Sequence, residues 1–145
     1  MTVQEVHTYL KAHNIKLLPH KVAIMHYLQN SFSHPTIDQI YNDLLPSMPT
    51  LSKTTVYNTL KLFCEKKAAS ALYVDEKNVR YDGHTTAFHA HFKCKKCGLI
   101  QDVPLSNMDI IQFKGLEDLQ PEETQIYFMG KCKKCESASW QIKHV

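Results

Sequence analysis

Apolar residues recur at helical spacing in several segments of the first half of the chain, which predicts a series of short helices. Two of these begin with a threonine three residues before an acid or amide, Thr2 with Glu5 and Thr36 with Gln39, which is the spacing of a capping box. Another helix is predicted to begin at Pro19, because proline is favoured at the first helical position.

A fourth helix is predicted from Ser52 to Glu65, with its apolar residues on one side and polar residues elsewhere. Next, ALYV (71–74) and VRYD (79–82) predict a short β-hairpin. Helices followed by a hairpin indicate a winged helix-turn-helix with 52–65 as its recognition helix. A helical subdomain whose polar face simply meets water is the alternative that the pattern leaves open.

The second half contains a segment, Phe88-His-Ala-His-Phe92, that alternates strictly and predicts a β-strand. His89 and His91 then lie on the same side of the strand, about 6.5–7 Å apart, so that both could bind one ion. Asp102, on the predicted return strand, could add an oxygen ligand. Two solvated histidines on a strand face are the alternative.

Four of the five cysteines form two similar CxxC motifs, Cys94 with Cys97 and Cys132 with Cys135. Two such knuckles can surround one Zn²⁺ with four thiolates at about 2.3 Å, so the spacing indicates a structural zinc site. Two redox dithiols or an iron–sulfur cluster are the alternatives. Cys64 is expected to be a small, partly buried residue of the recognition helix. Lysines that could offset the negative thiolates flank both motifs: Lys93, Lys95, Lys96, Lys131, Lys133 and Lys134.

Composition limits the class of protein and its cellular compartment. The 145 residues are 43% hydrophobic, which is typical of one globular domain or two small ones. The chain begins without an apolar secretory segment and contains no run long enough to span a membrane, so we expect a cytoplasmic protein. Cysteines in that compartment are more often metal ligands than disulfides. A net charge of +3 does not by itself indicate nucleic-acid binding.

Taken together, these motifs resemble the ferric uptake regulator (Fur) family of bacterial metal-dependent repressors. The resemblance implies an α+β fold, with an N-terminal winged helix-turn-helix domain (1–83) and a small α/β dimerisation and metal-binding domain (84–145) that has a four-cysteine zinc site. It also implies a homodimer that binds double-stranded operator DNA. The matching segments are SHPTIDQIY (33–41), TTVYNTL (54–60), VRYD (79–82), HAHFKCKKCGLIQD (89–102) and GKCKKC (130–135).

The resemblance further implies a regulatory Fe²⁺ or Mn²⁺ site beside the structural Zn²⁺. Its ligands would be His34, Asp82, His89, His91 and Asp102. Aspartate at both carboxylate positions is similar to the peroxide-sensing branch, whereas iron sensors commonly have glutamate there. In that branch, iron-dependent peroxide chemistry oxidises a histidine ligand, which here implies His34 or His89.

DNA contacts are implied at the recognition helix and at a basic residue before the second helix. Asn58 stands where iron sensors usually have arginine, and asparagine suits adenine where arginine suits guanine. An ordinary exposed helix residue is the alternative for Asn58. Lys16 resembles the family residue that enters the minor groove of A·T-rich DNA. The implied contact residues are Lys16, Ser52, Thr54, Thr55, Tyr57 and Asn58.

The sequence also departs from the family in two places. Positions that build a further metal site in many members are Phe88, Ala90 and Thr124 here, so we expect no third site. The glycine that often follows the recognition helix is replaced within EKKAA (65–69), so Lys67 must adopt a left-handed cap or the helix must end differently.

The sequence therefore predicts a peroxide-sensing transcriptional repressor, not an enzyme, with no organic cofactor and no membrane partner. Its expected targets are genes of the peroxide-stress response and of metal homeostasis. An iron-responsive or manganese-responsive repressor of the same family is the near alternative. A non-haem iron enzyme or a redox protein using its CxxC motifs are alternatives of other classes.

Overall fold

The computed structural model of the protein describes residues 1–73, 77–84, 88–105 and 113–136. The chain separates into two compact units, Met1–Ala87 and Phe88–Val145, here called the N-terminal unit and the C-terminal unit. The expected functional boundary between residues 83 and 84 stays a prediction. Within the described ranges, every helix is too short or too polar to cross a membrane.

The N-terminal unit contains four helices followed by a two-stranded antiparallel hairpin, in which Ser70 pairs with Asp82. This order confirms the winged helix-turn-helix predicted from the sequence. Val74 of the predicted first strand and the following two residues of the turn lie outside the described residues. The elements are α1 (Val3–Ala12), α2 (Pro19–Gln29), α3 (Ile37–Leu44), α4 (Lys53–Glu65), β1 (Ser70–Leu72) and β2 (Arg80–Asp82).

Local hydrogen bonds explain where α1 and α3 begin. The Thr2 hydroxyl accepts from the Glu5 N–H at 3.2 Å, while the Glu5 carboxylate accepts from the Thr2 N–H at 2.6 Å. Thr36 and Gln39 make the same reciprocal pair at 3.2 and 2.9 Å. Both predicted capping boxes are therefore confirmed, and each cap contributes about 1 kcal/mol of helix stability. Pro19 occupies the first turn of α2, also as predicted.

The C-terminal end of α4 is closed by a residue in the left-handed conformation. Lys67 has φ 58°, its N–H donates to the Cys64 carbonyl, and the Ala68 N–H donates to the Phe63 carbonyl at 2.8 Å. These two bonds form a Schellman motif, in which a left-handed residue satisfies the last free carbonyls of a helix. Of the two alternatives that the sequence left open at this helix end, the structure shows the left-handed cap at Lys67.

One hydrophobic core holds the N-terminal unit together, with side chains from all four helices. The α4 residues Val56, Leu60 and Phe63 are fully buried in it. The opposite side of α4 stays in solvent, where Tyr57 is 50% exposed. The amphipathic pattern of α4 therefore fixes which side chains can meet a partner.

The described residues of the C-terminal unit form a three-stranded sheet of β3 (His89–Cys94), β4 (Ile100–Pro104) and β5 (Tyr127–Gly130). The spatial order is β4-β3-β5, with β4 antiparallel and β5 parallel to the central strand. One helical turn follows at 133–136. The parallel register pairs Cys94 with Gly130, which brings the segments after β3 and β5 to the same end of the sheet.

Candidate metal centres and recognition helix

All four CxxC cysteines meet at the end of the sheet where β3 and β5 finish. Their sulfur atoms all lie within 4.8 Å of one another, and the Cys97 and Cys132 sulfurs are 3.8 Å apart. A tetrahedral zinc ion with bonds of about 2.3 Å separates its sulfur ligands by about 3.8 Å. The four cysteines, Cys94, Cys97, Cys132 and Cys135, are thus arranged as a zinc site with four thiolate ligands requires.

Backbone hydrogen bonds shape the first of the two knuckles. The Gly98 N–H donates to the Cys94 carbonyl at 2.9 Å, and Gly98 itself has φ 77°, a conformation that glycine adopts without strain. The Lys95 N–H donates to the Gly130 carbonyl at 2.7 Å, which ties this turn to the end of β5. The Cys132 N–H donates to the Cys94 sulfur at 3.3 Å and joins the two knuckles.

These contacts also shift the pKa values of two of the thiols in opposite directions. Backbone N–H groups of Cys97 and Cys132 lower the pKa of Cys94 to about 6 from its ordinary value of 9.0. The hydrogen bond with Cys132, followed by burial, raises the pKa of Cys135 to about 12. These contacts favour the thiolate at Cys94 and the protonated thiol at Cys135. A bound divalent ion would displace the remaining thiol protons. Zn²⁺ fits this donor set because it binds soft thiolate ligands well.

A second donor set, His34 with Asp82, lies within the N-terminal unit. Thr36 forms an antiparallel bridge with Arg80, and the Tyr81 N–H donates to the Pro35 carbonyl at 3.0 Å. Continuing this register by two residues places His34 opposite Asp82, and their ligand atoms lie within 4.8 Å of each other. Both residues are 3% exposed.

The backbone of His34 is itself unusual, because φ is 53°. A residue other than glycine is disfavoured at this positive φ by about 1–2 kcal/mol, although histidine adopts it more often than most residues do. The Arg80 guanidinium donates to the His34 carbonyl at 3.2 Å and supports this conformation. Such backbone strain is frequent where a side chain must be aimed at a ligand.

A third donor set lies on the sheet of the C-terminal unit. The antiparallel register pairs His91 directly with Asp102, and their Nε2 and Oδ1 atoms are 3.3 Å apart. The same Oδ1 lies 3.5 Å from Nε2 of His89, and the two imidazole centroids are 4.7 Å apart. Two nitrogens thus converge with one carboxylate oxygen, as expected from the alternating sequence. The structure therefore groups the five predicted regulatory ligands as two sets, each inside one unit.

The predicted DNA-contacting side chains occupy different environments around α4. Thr54, Tyr57, Asn58 and the more distant Lys16 are exposed. Ser52 instead caps the helix, because its Oγ accepts from the Thr55 N–H at 3.1 Å and lies 2.9 Å from the Thr55 hydroxyl. Those two hydroxyls are partly committed to the helix end, which the sequence reasoning did not include.

Two basic residues next to α4 were missed by the sequence reasoning. His20 and Lys21, in the first turn of α2, line a cleft together with Thr55 and Asn58. Desolvation, together with the nearby Lys21, lowers the pKa of His20 below its ordinary value. The histidine and lysine directly after the predicted helix start at Pro19 could have indicated this position from the sequence.

Known proteins resemble this chain over nearly its whole length. The peroxide-responsive repressor PerR of Staphylococcus epidermidis is 33% identical over 128 residues, which cover 87% of this chain and 85% of that protein. Among solved structures, PerR from Streptococcus pyogenes, described in connection with peroxide sensing and gene regulation, is 31% identical with a TM-score of 0.51 and covers 92% of each chain.

The fold is shared more widely than the sequence. The ferric uptake regulator of Helicobacter pylori, described as having three functional metal-binding sites, superimposes with a TM-score of 0.72 at 18% identity. That comparison covers 94% of this chain and 95% of the other. Residues 12–129 match the sequence model of the ferric uptake regulator family. Its members are transcription regulators and not enzymes. The chain belongs to the ferric uptake regulator family.

Proposed function

We propose that this protein is a metal-dependent transcriptional repressor that senses peroxide through oxidation of a histidine ligand. The observation that carries the proposal is the pair of His–Asp donor sets, one in each unit. Together they offer three imidazoles and two carboxylates: His34, Asp82, His89, His91 and Asp102. Nitrogen and oxygen donors of this kind suit Fe²⁺ or Mn²⁺, and five protein ligands leave one octahedral position for a small molecule.

In this proposal the two donor sets bind one regulatory ion together and so favour one arrangement of the two units. The cysteine cluster binds a separate Zn²⁺ and has a structural role. Sulfur ligands are absent from the regulatory set, which keeps the two metals chemically distinct. Metal binding and operator binding are then reciprocally coupled, by about 1–3 kcal/mol or more.

Peroxide sensing follows from what happens to one imidazole. Ferrous iron, when bound, would activate peroxide beside the ring of His34 or His89. One peroxide oxygen would be inserted at a ring C–H bond and the other would leave as water, so that the ring itself supplies the two electrons. The oxidised ring carries one additional oxygen atom and binds metal less well. His34 then no longer contributes to the shared site from the N-terminal unit, or His89 from the C-terminal unit. The ligand link between the units is weakened, and the repressor leaves its operator. Mn²⁺ does not support this chemistry readily, so Mn²⁺-loaded protein remains bound to DNA.

DNA binding is assigned to the exposed side of α4. Tyr57 and Asn58 face the major groove, Thr54 and Thr55 lie beside them, and Ser52 fixes the start of the helix. Lys16 enters the minor groove, while His20 and Lys21 of the adjacent cleft contact phosphates. The protein acts in the cytoplasm, where the DNA is located.

A homodimer is the proposed DNA-binding species, because paired half-sites need two recognition helices at a fixed separation. Among the described strands, β5 lies at one edge of the sheet and offers a surface for this association. Phe128 and Met129, which lie on opposite faces of that strand, are 49% and 54% exposed, although large apolar side chains of this kind are usually covered. We assign this surface to the second copy of the chain.

Peptide mass spectrometry tests the proposed chemistry directly. Protein loaded anaerobically with Fe²⁺ receives one equivalent of peroxide, and protein loaded with Mn²⁺ serves as the control. One added oxygen on the peptide of His34 or His89, with iron only, and simultaneous loss of operator binding are expected. Iron-loaded protein that stays unmodified and bound to its operator would instead be a plain iron or manganese sensor.

A further inference from the structure

The segment that carries Asp82 is attached to α2 by contacts that no metal ion is needed to explain. The Nε2 atom of Gln29, at the last position of α2, donates to the Gly83 carbonyl at 2.7 Å. Gln29 is only 9% exposed, so this bond replaces water for a buried amide and a buried carbonyl. Losing the donor would leave the Gly83 carbonyl without its partner from α2.

Gly83 approaches α2 so closely that no larger residue fits. A Cβ atom at this position would lie 2.9 Å from Cβ of Leu28 and 3.2 Å from its carbonyl carbon. Leu28 is buried in the core and cannot move aside freely. The main chain next to Asp82 is therefore pressed against the last turn of α2, where Gln29 holds it.

His84 joins the segment of Asp82 to the loop that follows α2. Its N–H donates to Oδ1 of Asp82 at 2.8 Å, which orients the carboxylate. Its ring stacks on Phe32 with centroids 4.5 Å apart and an interplanar angle of 8°. Its Nε2 lies 3.3 Å from the Ser31 carbonyl. The loop that ends at His34 and the segment that begins at Asp82 are thus joined beside the two ligands.

From this arrangement we infer that Gln29 is a positioning residue for the regulatory metal, acting through Gly83 on the carboxylate of Asp82. The inference rests on the proposed function, because it assumes that Asp82 is a ligand. Residues that orient metal ligands typically change metal affinity by 10–100-fold when they are removed. The same helix carries His20 and Lys21 at its other end, next to α4, so Gln29 also connects the ligand segment to an element of the DNA-binding face.

The test compares Gln29→Met with Tyr27→Phe in zinc-loaded protein. Methionine keeps the volume and helix propensity of glutamine but removes the N–H donor. Tyr27→Phe is the matched control, because it removes one hydrogen bond from the same helix, to Asp43, away from Gly83. Binding of Mn²⁺ is measured by the electron paramagnetic resonance signal of the free ion. We expect about tenfold weaker binding for Gln29→Met and wild-type binding for Tyr27→Phe.

Three further readouts separate positioning from a loss of general stability. In metal-free protein, hydrogen exchange at the amides of Tyr81 and His84 should increase in Gln29→Met and not in Tyr27→Phe. The Mn²⁺ line shape at high field should change, since Asp82 is displaced. In an Asp82→Asn background, Gln29→Met should cause no additional loss of affinity. An equal loss in both backgrounds, or wild-type affinity of Gln29→Met, would overturn the inference.

A second variant covers the case in which Gln29→Met does not fold. Gly83→Ala displaces the same segment through a clash with Leu28 of α2, and it should weaken Mn²⁺ binding to a similar extent. If Gly83→Ala folds and binds Mn²⁺ normally, the inference fails. Failure of the proposed function is seen separately, because wild-type protein would then bind neither Mn²⁺ at this site nor operator DNA in response to it.

Discussion

His34 shows how a single residue can combine backbone strain with a site role. Its φ of 53° is disfavoured for residues other than glycine. Two contacts hold this conformation: Arg80 donates to the His34 carbonyl, and Thr36, two residues later, forms a β-bridge with Arg80. The sequence identified His34 only through the family resemblance, because nothing in its neighbours indicates a left-handed backbone. The shared face of His89 and His91 could be predicted directly, since strict alternation fixes which side chains lie on one side of a strand. The pairing of Asp102 with His91 depends on the register between two strands.

Asn58 carries a prediction about operator sequence. Arginine pairs with guanine through two hydrogen bonds, whereas asparagine pairs with adenine. Asn58→Arg should therefore shift the preferred half-site from adenine to guanine at one position, by about 1–3 kcal/mol. Selection of binding sites from a randomised DNA pool, with Mn²⁺-loaded protein, measures this change. Lys61→Ala, an exposed position one turn later on α4, is the control and should retain the wild-type preference.

At the scale of elements, local signals were enough for helix starts but not for the pairing of distant segments. Thr2, Thr36 and Pro19 act within one turn, so the sequence predicts their helices directly. The antiparallel register between Thr36 and Arg80 depends on residues 44 positions apart in the sequence. The parallel pairing of β3 with β5, which assembles the cysteines, likewise has no local sequence signal.

The end of α4 allows a test of the free-energy cost of a left-handed backbone conformation at a residue other than glycine. Lys67 lies in the left-handed region, and glycine there avoids the clash of Cβ with the main chain. Lys67→Gly should raise the free energy of unfolding by about 0.5–1 kcal/mol, after allowance for the greater freedom of glycine in the unfolded chain. Urea denaturation measures the change. Asn14→Gly, at the left-handed end of α1, should give a smaller gain, because asparagine tolerates this conformation. Equal or opposite effects would contradict the explanation.

For the whole molecule, the two units differ in what stabilises them. The N-terminal unit has a hydrophobic core with contributions from every helix. In the described part of the C-terminal unit, the buried apolar positions are Ala90, Cys94, Ile100 and Cys135, and two of these belong to the four-cysteine cluster. A small core of this kind is usually supplemented by metal or disulfides. The proposed zinc site is therefore expected to contribute much of the stability of the described part of this unit.

Removal of zinc should thus unfold one unit and not the other. Cys132→Ser, or exposure of wild-type protein to a strong chelator, should cause rapid hydrogen exchange in β3, β4 and β5, while the helices of the N-terminal unit keep slow exchange. The proposed dimer should dissociate in the same samples, as measured by sedimentation, because β5 lies in the unit that unfolds. Cys64→Ser is the matched control, since Cys64 belongs to α4 and should leave one zinc per chain. Uniform loss of protection in both units would show instead that the cysteine cluster supports the whole chain.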